Sequence, residues 1–274
     1  MALHEIVLLV VLFSITGIIN YFQLWLVYTV KPPLFFFKHG LFCNDEDISY
    51  PFVPDTIKYP IIPYASLSVI LFGFFSWVVH RRETSQGLSR ILLNFFFNVV
   101  YFCIGCVLTS SITNVTKLCV GRLRPYFLTV CNPLQCQHLT SSYVEDFHCD
   151  IGYVDDRENR MSFPSGHASI SAYCSIMLYL CIRIFLNEHF SKLKKLLLLN
   201  LLQLMVLLSG VLIAITRLND FKHHPSDVFV GYFIGALVAW IVFLYLFKTN
   251  LTEEEKSNYG SIPSLENLLG DDQM

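Results

Sequence analysis

The stretch TRLNDFKHHPSDVFVGYFIGALVAWIVFLYLF, residues 216–247, joins a cluster of charged and histidine side chains directly to an apolar run. The run, residues 227–247, is long enough to cross the hydrocarbon core of a bilayer as a helix, which takes about 20 residues. Charged side chains at a bilayer boundary are costly, so their presence there indicates a function. The stretch therefore predicts a transmembrane helix with a polar site at its amino-terminal end.

Five further apolar runs have a similar length and lie close to residues 6–28, 59–79, 91–113, 167–186 and 196–215. The 274-residue chain is 54% hydrophobic and only 15% charged, which is unusual for a soluble domain. These features predict an all-α, polytopic membrane protein with six transmembrane helices. The net charge of -2 and the scattered basic residues argue against a nucleic-acid partner.

The distribution of basic residues predicts the orientation of these spans. Loops 81–90 and 187–195 are short and basic, and the positive-inside rule places such loops in the cytosol. Six spans then place both termini in the cytosol. The longer loops, residues 31–60 and 117–165, are expected on the lumenal or extracellular face, in the plasma membrane or an endomembrane.

The chain contains no internal repeat, and its domain organisation is predicted to be simple. Residues 1–247 are expected to form one six-span membrane domain. Residues 248–274 are polar, include EEEK, and are expected to form a disordered cytosolic tail. A homo-oligomer is compatible with this organisation.

Four of the nine cysteines fall in the loops assigned to the non-cytosolic face. Two disulfides in an oxidising compartment would account for them, with three possible pairings. The alternative is a zinc site that also uses loop histidines, although the spacing of its ligands matches no common zinc motif. The disulfide candidates are Cys43, Cys131, Cys136 and Cys149, and the zinc candidates are Cys131, Cys136, His138, His148 and Cys149.

The first of three polar clusters at this face is KLCVGRLRP, residues 117–125, at the end of the third predicted span. Lys117 and Arg124 are seven residues apart, so both would project from one face if the helix continued through them. Two aligned cations indicate an anion site. The alternative is that both side chains only extend toward the membrane interface.

The second cluster is SFPSGHAS, residues 162–169, at the start of the fourth predicted span. Ser162 is predicted to cap the helix, and Pro164 suits an early helical position. Gly166 would let a ligand approach the backbone of a helix amino terminus, which favours phosphate-like anions. His167 would lie within one turn of that anion and could transfer a proton. The alternative is an ordinary capped helix with an incidental histidine.

The third cluster is the opening one, in which Pro225 suits the first position of the last helix. Asp227 follows His223 by four residues and could hold one ring nitrogen as N–H, which would leave the other nitrogen as a nucleophile. Arg217 offers two parallel donors to phosphate oxygens. His224 has no carboxylate four residues later and is interpreted as a capping or interface residue.

Together the clusters supply cations, a helix terminus and two imidazoles, which are the groups that phosphoryl transfer requires. No group of carboxylates at this face is arranged for Mg²⁺. The acidic residues of FCNDED, residues 42–47, and the Asp155–Asp156 pair are interpreted as solvated loop charge. We therefore predict a reaction that needs no metal and no cofactor.

The three clusters resemble the signatures of the type 2 phosphatidic acid phosphatase superfamily. These are Lys, six residues and Arg-Pro; Pro-Ser-Gly-His; and Ser-Arg, five residues, His, three residues and Asp. Six spans with cytosolic termini resemble the eukaryotic lipid phosphate phosphatase branch, and the likeness covers about residues 38–247. Thr216 stands where the family usually has serine, and its hydroxyl should preserve the local hydrogen bonding.

The resemblance implies a role for each matching residue. His223 would form a phosphohistidine, Asp227 would orient it, and His167 would protonate the leaving alkoxide and then activate water. The residues implied to hold the phosphate are Lys117, Arg124, Ser165, Gly166 and Arg217.

The resemblance also implies the substrates, which would be phosphate monoesters of membrane lipids. Examples are phosphatidate, lysophosphatidate, sphingosine 1-phosphate and ceramide 1-phosphate. Two alternatives share the fold: a polyprenyl diphosphate phosphatase and a non-catalytic lipid-phosphate binding protein.

Overall fold

A computed structural model describes most of the chain between residues 40 and 250. The described ranges are 40–56, 61–81, 88–137, 143–149, 156–189 and 192–250, together with six helical positions between residues 11 and 21. The first predicted span lies outside the described residues apart from those positions. The predicted tail also lies outside them, beyond residue 250.

Five long helices follow the five remaining apolar runs. Two short helices, α3 and α4, lie between the second and third of them. Among the described residues from 40 onward, the helices are α1 (Ile61–Arg81), α2 (Leu88–Val120), α3 (Phe127–Cys131), α4 (Asp156–Asn159), α5 (Gly166–His189), α6 (Lys192–Asn219) and α7 (Pro225–Asn250). Helix α7 begins at Pro225 as predicted and ends three residues beyond the predicted domain boundary.

Three of the described helical segments are long and apolar enough to cross a membrane: Leu92–Val120, Asn200–Asn219 and Pro225–Leu246. A shorter apolar segment, Ile61–Ser76, forms most of α1. Large apolar side chains on α6 and α7 are exposed, among them Met205 on α6, and such exposure suits contact with lipid. The protein is therefore an integral membrane protein.

Helix α5 lies at the centre of the bundle, where α1, α2, α6 and α7 all pack against it. Glycines on its neighbours allow this close approach. A Cβ atom at Gly235 of α7 would lie 2.0 Å from the Ser169 carbonyl oxygen, and one at Gly231 would lie 2.4 Å from that of Ser165. Small residues that bring backbones together are typical of helix contacts in membranes.

The loop regions form a small folded unit beside the bundle. Strands β1 (Leu41–Phe42) and β2 (Tyr143–Val144) pair antiparallel, a feature that the all-α prediction did not include. Short 3₁₀ helices span Glu46–Ile48 and Leu134–Gln137. An apolar core made by Leu41, Ile48, Leu123, Phe127, Cys131 and Phe147 fills the unit.

Two disulfides close this unit and select one of the three predicted pairings. Cys43 bonds to Cys136, and Cys131 bonds to Cys149. The zinc alternative is wrong for these cysteines, because each of its three thiols is used in a disulfide. His138 lies outside the described residues.

The two segments that carry the first and second clusters differ from the predicted helices. Helix α2 ends at Val120 because Gly121 takes a left-handed conformation with φ 63°, and its N–H donates to the Lys117 carbonyl. Lys117 and Arg124 therefore do not share a helical face. The predicted helical start at Ser162 and Pro164 is also wrong, since α5 begins at Gly166.

Candidate active site

The turn between α6 and α7 holds the third cluster in a compact backbone arrangement. The carbonyl of Arg217 accepts hydrogen bonds from the N–H groups of both Lys222 and His223. Phe221 adopts a positive φ of 52°, which reverses the chain within a few residues. This turn places His223 just before the amino terminus of α7.

The ring of His223 is buried and has a defined tautomer. Its Nδ1 lies 2.6 Å from the carbonyl oxygen of Ser162. A carbonyl can only accept a hydrogen bond, so Nδ1 carries the proton and Nε2 keeps its lone pair. Burial lowers the pKa of His223 to about 3, and the charges of Arg124 and Lys117 act in the same direction. The ring is therefore neutral near pH 7.

Asp227 is fully buried and does not hold His223 directly. Its Oδ2 is 3.9 Å from the Nδ1 of His223, which is too far for a hydrogen bond. Instead Oδ2 accepts from the Ser162 hydroxyl at 2.6 Å and from the backbone N–H of His224 at 2.9 Å. It also lies 3.2 Å from the Nδ1 of His224. His224 has no carboxylate four residues later, as the sequence indicated, but the carboxylate three residues later contacts its ring.

Arg217 is buried beside this turn, and its guanidinium is already engaged. Nη1 pairs with Asp55 and Nη2 with Asp220, each at 2.8 Å. Nε donates to the Thr216 hydroxyl at 3.2 Å, so threonine at this position still supplies the predicted hydroxyl contact. Asp220 in turn accepts hydrogen bonds from the backbone N–H and the hydroxyl of Thr56.

A strap, defined here as residues 50–56, is fixed over this turn. The ring of Tyr50 stacks on Phe221 with centroids 4.8 Å apart. The ammonium of Lys222 lies 4.0 Å from the ring centroid of Phe52, within cation–π range. Together with the Asp55 and Thr56 contacts, these interactions join the strap to Arg217.

The amino terminus of α5 lies against the start of α7. Ser165 is buried, and its N–H donates to the Asp227 carbonyl at 2.9 Å. Its hydroxyl accepts from the N–H of Ala168 at 3.4 Å, which makes Ser165 the helix cap. Lys117 approaches from α2, where its Nζ lies 3.6 Å from the position of a Cβ at Gly166. The lysine therefore reaches the amino-terminal end of α5.

Arg124 is buried in the loop after α2, where Glu158 binds it. Its Nε donates to the Glu158 carbonyl at 2.9 Å, and Nη2 lies 3.2 Å from the carboxylate of the same residue. The positive charge of Arg124 nevertheless lies near enough to His223 to lower the pKa of its ring.

Both imidazoles lie within the field of the same cations. His167 is the second residue of α5 and is half-buried, and Lys117, Arg124 and Arg217 all interact with its ring electrostatically. Lys117 and Arg124 also act on His223. The three sequence clusters thus come together at one end of the helix bundle.

Several side chains at this site were not identified from the sequence. Asp220 follows Arg217 by three residues and could have been found as an (i, i+3) pair. Arg122 lies inside the first motif but at one of its variable positions. The roles of Asp55 and of the Ser162 carbonyl could not be predicted from local sequence, because their partners are distant in the chain.

Comparison with known proteins identifies the family. A model of the PAP2 superfamily matches residues 98–251, more than half of the chain. Phospholipid phosphatase 1 of Rattus norvegicus is 34% identical over 238 residues, which cover 80% of each chain. Phospholipid phosphatase 2 of the same species is 32% identical over 247 residues, covering 86% of this chain and 88% of the relative.

Phospholipid phosphatase 2 of Homo sapiens is 32% identical over 216 residues, covering 77% of this chain and 74% of the relative. No solved structure matches the chain. The region that the family model matches includes all three motif clusters, and their order along the chain is that of the superfamily signatures. The chain belongs to the PAP2 superfamily, in its eukaryotic lipid phosphate phosphatase branch.

Proposed function

We propose that this protein is an integral-membrane lipid phosphate phosphatase that hydrolyses phosphate monoesters through a phosphohistidine at His223. The observation that carries the proposal is the buried ring of His223, whose Nδ1 lies 2.6 Å from the Ser162 carbonyl oxygen. Its free Nε2 lone pair lies in the field of Lys117 and Arg124. A positioned neutral imidazole beside cations is suited to attack on a phosphorus atom.

In the proposed reaction, His223 Nε2 forms a bond to phosphorus while the ester P–O bond breaks. His167 enters this step as an imidazolium, which the bound phosphate anion would favour, and donates its proton to the leaving alkoxide, so that the lipid alcohol departs. His167 then accepts a proton from water, whose oxygen attacks phosphorus and breaks the P–N bond. Inorganic phosphate and free His223 result, so each proton is returned.

The phosphate oxygens are proposed to bind to side chains and backbone from three segments. Lys117 and the backbone at Gly166 would meet on one side, because the lysine Nζ already lies against that glycine. Arg217 and Arg124 would contribute charge, although both now pair with carboxylates. Ser165 would contribute through the amino terminus of α5.

The site is proposed to face the lumen or the cell exterior, with six spans and both termini in the cytosol. The two disulfides lie in the loops beside the site, and disulfides persist in oxidising compartments. A site at the membrane boundary would let the acyl chains remain in lipid. The proposed substrates are phosphatidate, lysophosphatidate, sphingosine 1-phosphate and ceramide 1-phosphate, with no metal required.

Purified protein assayed in detergent micelles with EDTA tests the activity and its independence of metal together. We expect phosphate release from the four lipids, and loss of turnover in His223→Ala. Radiolabelled substrate should leave an acid-labile, base-stable label on the protein that the variant lacks. His148→Ala is the matched control, because His148 is exposed in the loop unit near the site and should retain full activity.

Three outcomes would contradict the proposal. Turnover that persists in His223→Ala would reject the nucleophile. A requirement for Mg²⁺ would reject the metal-independent reaction. Hydrolysis of dolichyl diphosphate but none of the monoesters would instead support a polyprenyl diphosphate phosphatase.

A further inference from the structure

Arg122 contacts both groups that define the environment of His223. Its Nη1 donates to Asp227 Oδ1 at 2.6 Å and to the Ser226 hydroxyl at 2.7 Å. Its backbone carbonyl accepts from the N–H of Ser162 at 3.0 Å. Arg122 therefore joins the loop after α2 to the start of α7 and to the segment before α5.

These contacts form a closed ring of hydrogen bonds. The Arg122 guanidinium donates to the Asp227 carboxylate, which also accepts from the Ser162 hydroxyl. The backbone N–H of Ser162 donates to the Arg122 carbonyl and closes the cycle. The imidazole of His223 is joined to this hydrogen-bond cycle through the Ser162 carbonyl. The orientation of the His223 ring therefore depends on how firmly Ser162 is held.

The carboxylate of Asp227 needs a cation to occupy this place. Its side chain is fully buried, whereas that of Arg122 is 36% exposed. A buried carboxylate without a partner is strongly unfavourable, and a charge-assisted hydrogen bond stabilises and orients it. Arg122 supplies that partner for Oδ1, while Oδ2 remains available to Ser162 and His224.

We propose that Arg122 is a positioning residue for the reaction: its guanidinium fixes the Asp227 carboxylate, which holds Ser162, whose carbonyl in turn orients His223. The inference rests on the proposed function, because it assigns Arg122 a role only if His223 is the nucleophile. Arg122 does not need to touch the substrate in this role. Its loss should therefore lower the rate of the chemical step and leave phosphate binding intact.

The test compares Arg122→Gln and Arg122→Lys with the parent protein, using short-chain phosphatidate in detergent micelles. We expect kcat to fall about 10- to 100-fold in Arg122→Gln, the loss associated with one hydrogen bond to a charged group. KM should stay within about threefold of the parent value, because Arg122 does not contact the bound substrate. Arg122→Lys should recover part of kcat, because an ammonium can still reach Oδ1.

The matched control is Ser226→Ala, which removes the other acceptor of Arg122 Nη1 and keeps the carboxylate contact. We expect its kcat to stay within about threefold of the parent value. A loss as large as that of Arg122→Gln would mean that Arg122 acts by attaching its loop to α7 in general. That result would overturn the proposal.

A double-mutant cycle with Asp227→Asn decides whether Arg122 acts through the carboxylate. We expect Arg122→Gln to cost little further kcat in the Asp227→Asn background, because the group through which it acts is already changed. An additive loss, an unchanged kcat, or a rise in KM alone would overturn the proposal. If Arg122→Gln unfolds, the cycle is run with Arg122→Lys, and a loss of kcat that is additive with that of Asp227→Asn would again overturn the proposal.

The measurements distinguish a failure of the Arg122 role from a failure of the proposed function. A parent protein that releases no phosphate, or one that tolerates His223→Ala, contradicts the function. A parent that requires His223 but tolerates Arg122→Gln contradicts only the role of Arg122.

Discussion

At the scale of single residues, His223 is notable because the fold keeps a histidine neutral among cations. Burial is the main cause of its lowered pKa, and Arg124 and Lys117 add to the effect, while the charge of Asp227 opposes it. The unfolded chain has no such environment, so its histidine would bind a proton near the usual value of 6.5. The two states therefore differ in proton binding between pH values of about 3 and 6.5.

This difference in proton binding makes the contribution of His223 to the free energy of unfolding depend on pH. The unfolded state binds more protons in that range, so the stability that His223 contributes is complete above about pH 6.5 and is lost as the pH falls. His223→Asn can still donate to the Ser162 carbonyl but does not titrate there. Thermal unfolding in detergent at pH 6.5 and 4.5 should show a smaller acid destabilisation for the variant than for the parent. Equal destabilisation of the two proteins would contradict the prediction.

At the scale of helices, the contact between α5 and α7 sets the position of the site. Gly231 and Gly235 are one turn apart and face Ser165, the cap of α5, and Ser169 within α5. The same contact brings the N–H of Ser165 to the Asp227 carbonyl. A side chain at either glycine would therefore separate the two helix ends that carry the site.

Gly235→Ala is predicted to destabilise the protein and to lower its activity. The new Cβ would lie 2.0 Å from the Ser169 carbonyl oxygen, so α7 must shift. Overpacking of this kind costs about 1–3 kcal/mol. Gly166→Ala is the control for stability, because its Cβ would meet its nearest neighbour, the Nζ of Lys117, at an ordinary 3.6 Å.

Thermal unfolding of the two glycine variants in the same detergent measures the difference. A melting temperature that falls for Gly235→Ala and stays near the parent value for Gly166→Ala is the expected result. Equal melting temperatures would show that α5 and α7 can separate without loss of packing, against the contact described here.

At the scale of the whole molecule, one of the two disulfides connects segments on opposite sides of α1 and α2. Cys43 lies before α1, whereas Cys136 follows α3, 93 residues later in the chain. The unit that they close also carries the strap, residues 50–56, to Arg217. Covalent closure of such a long loop is expected to restrict the unfolded chain and to stabilise this unit.

Counting reactive thiols tests this arrangement. Alkylation of the denatured, unreduced protein should modify five cysteines, and alkylation after reduction should modify all nine. The five are Cys103, Cys106, Cys119, Cys174 and Cys181. Nine modified cysteines without reduction would contradict the disulfides and with them the proposed oxidising face.

The sequence was informative where structure depends on local composition. Long apolar runs predicted the five described long helices, and Pro225 predicted the start of α7, because length, hydropathy and proline act within a few residues. The end of α2 was missed although Gly121 is a common helix terminator. The strands were missed because each is only two residues long and is defined by its partner.

The candidate site was predictable in its residue types and not in its contacts. His223, Asp227 and Arg217 were identified because they lie within one short segment. The acceptor of His223 is a backbone carbonyl 61 residues away, and Asp55 lies 162 residues from Arg217. Pairings across such distances depend on the packing of whole helices, which no local pattern encodes.

The pairing of Asp55 with Arg217 has a consequence for turnover. The carboxylate of Asp55, whose side chain is 45% exposed, occupies one side of the guanidinium. A phosphate bound to Arg217 as proposed would have to replace that carboxylate at Nη1, and Asp55 would then move outward with the strap. In the proposed reaction the same carboxylate would compete with inorganic phosphate for the guanidinium after hydrolysis, so its return would assist product expulsion.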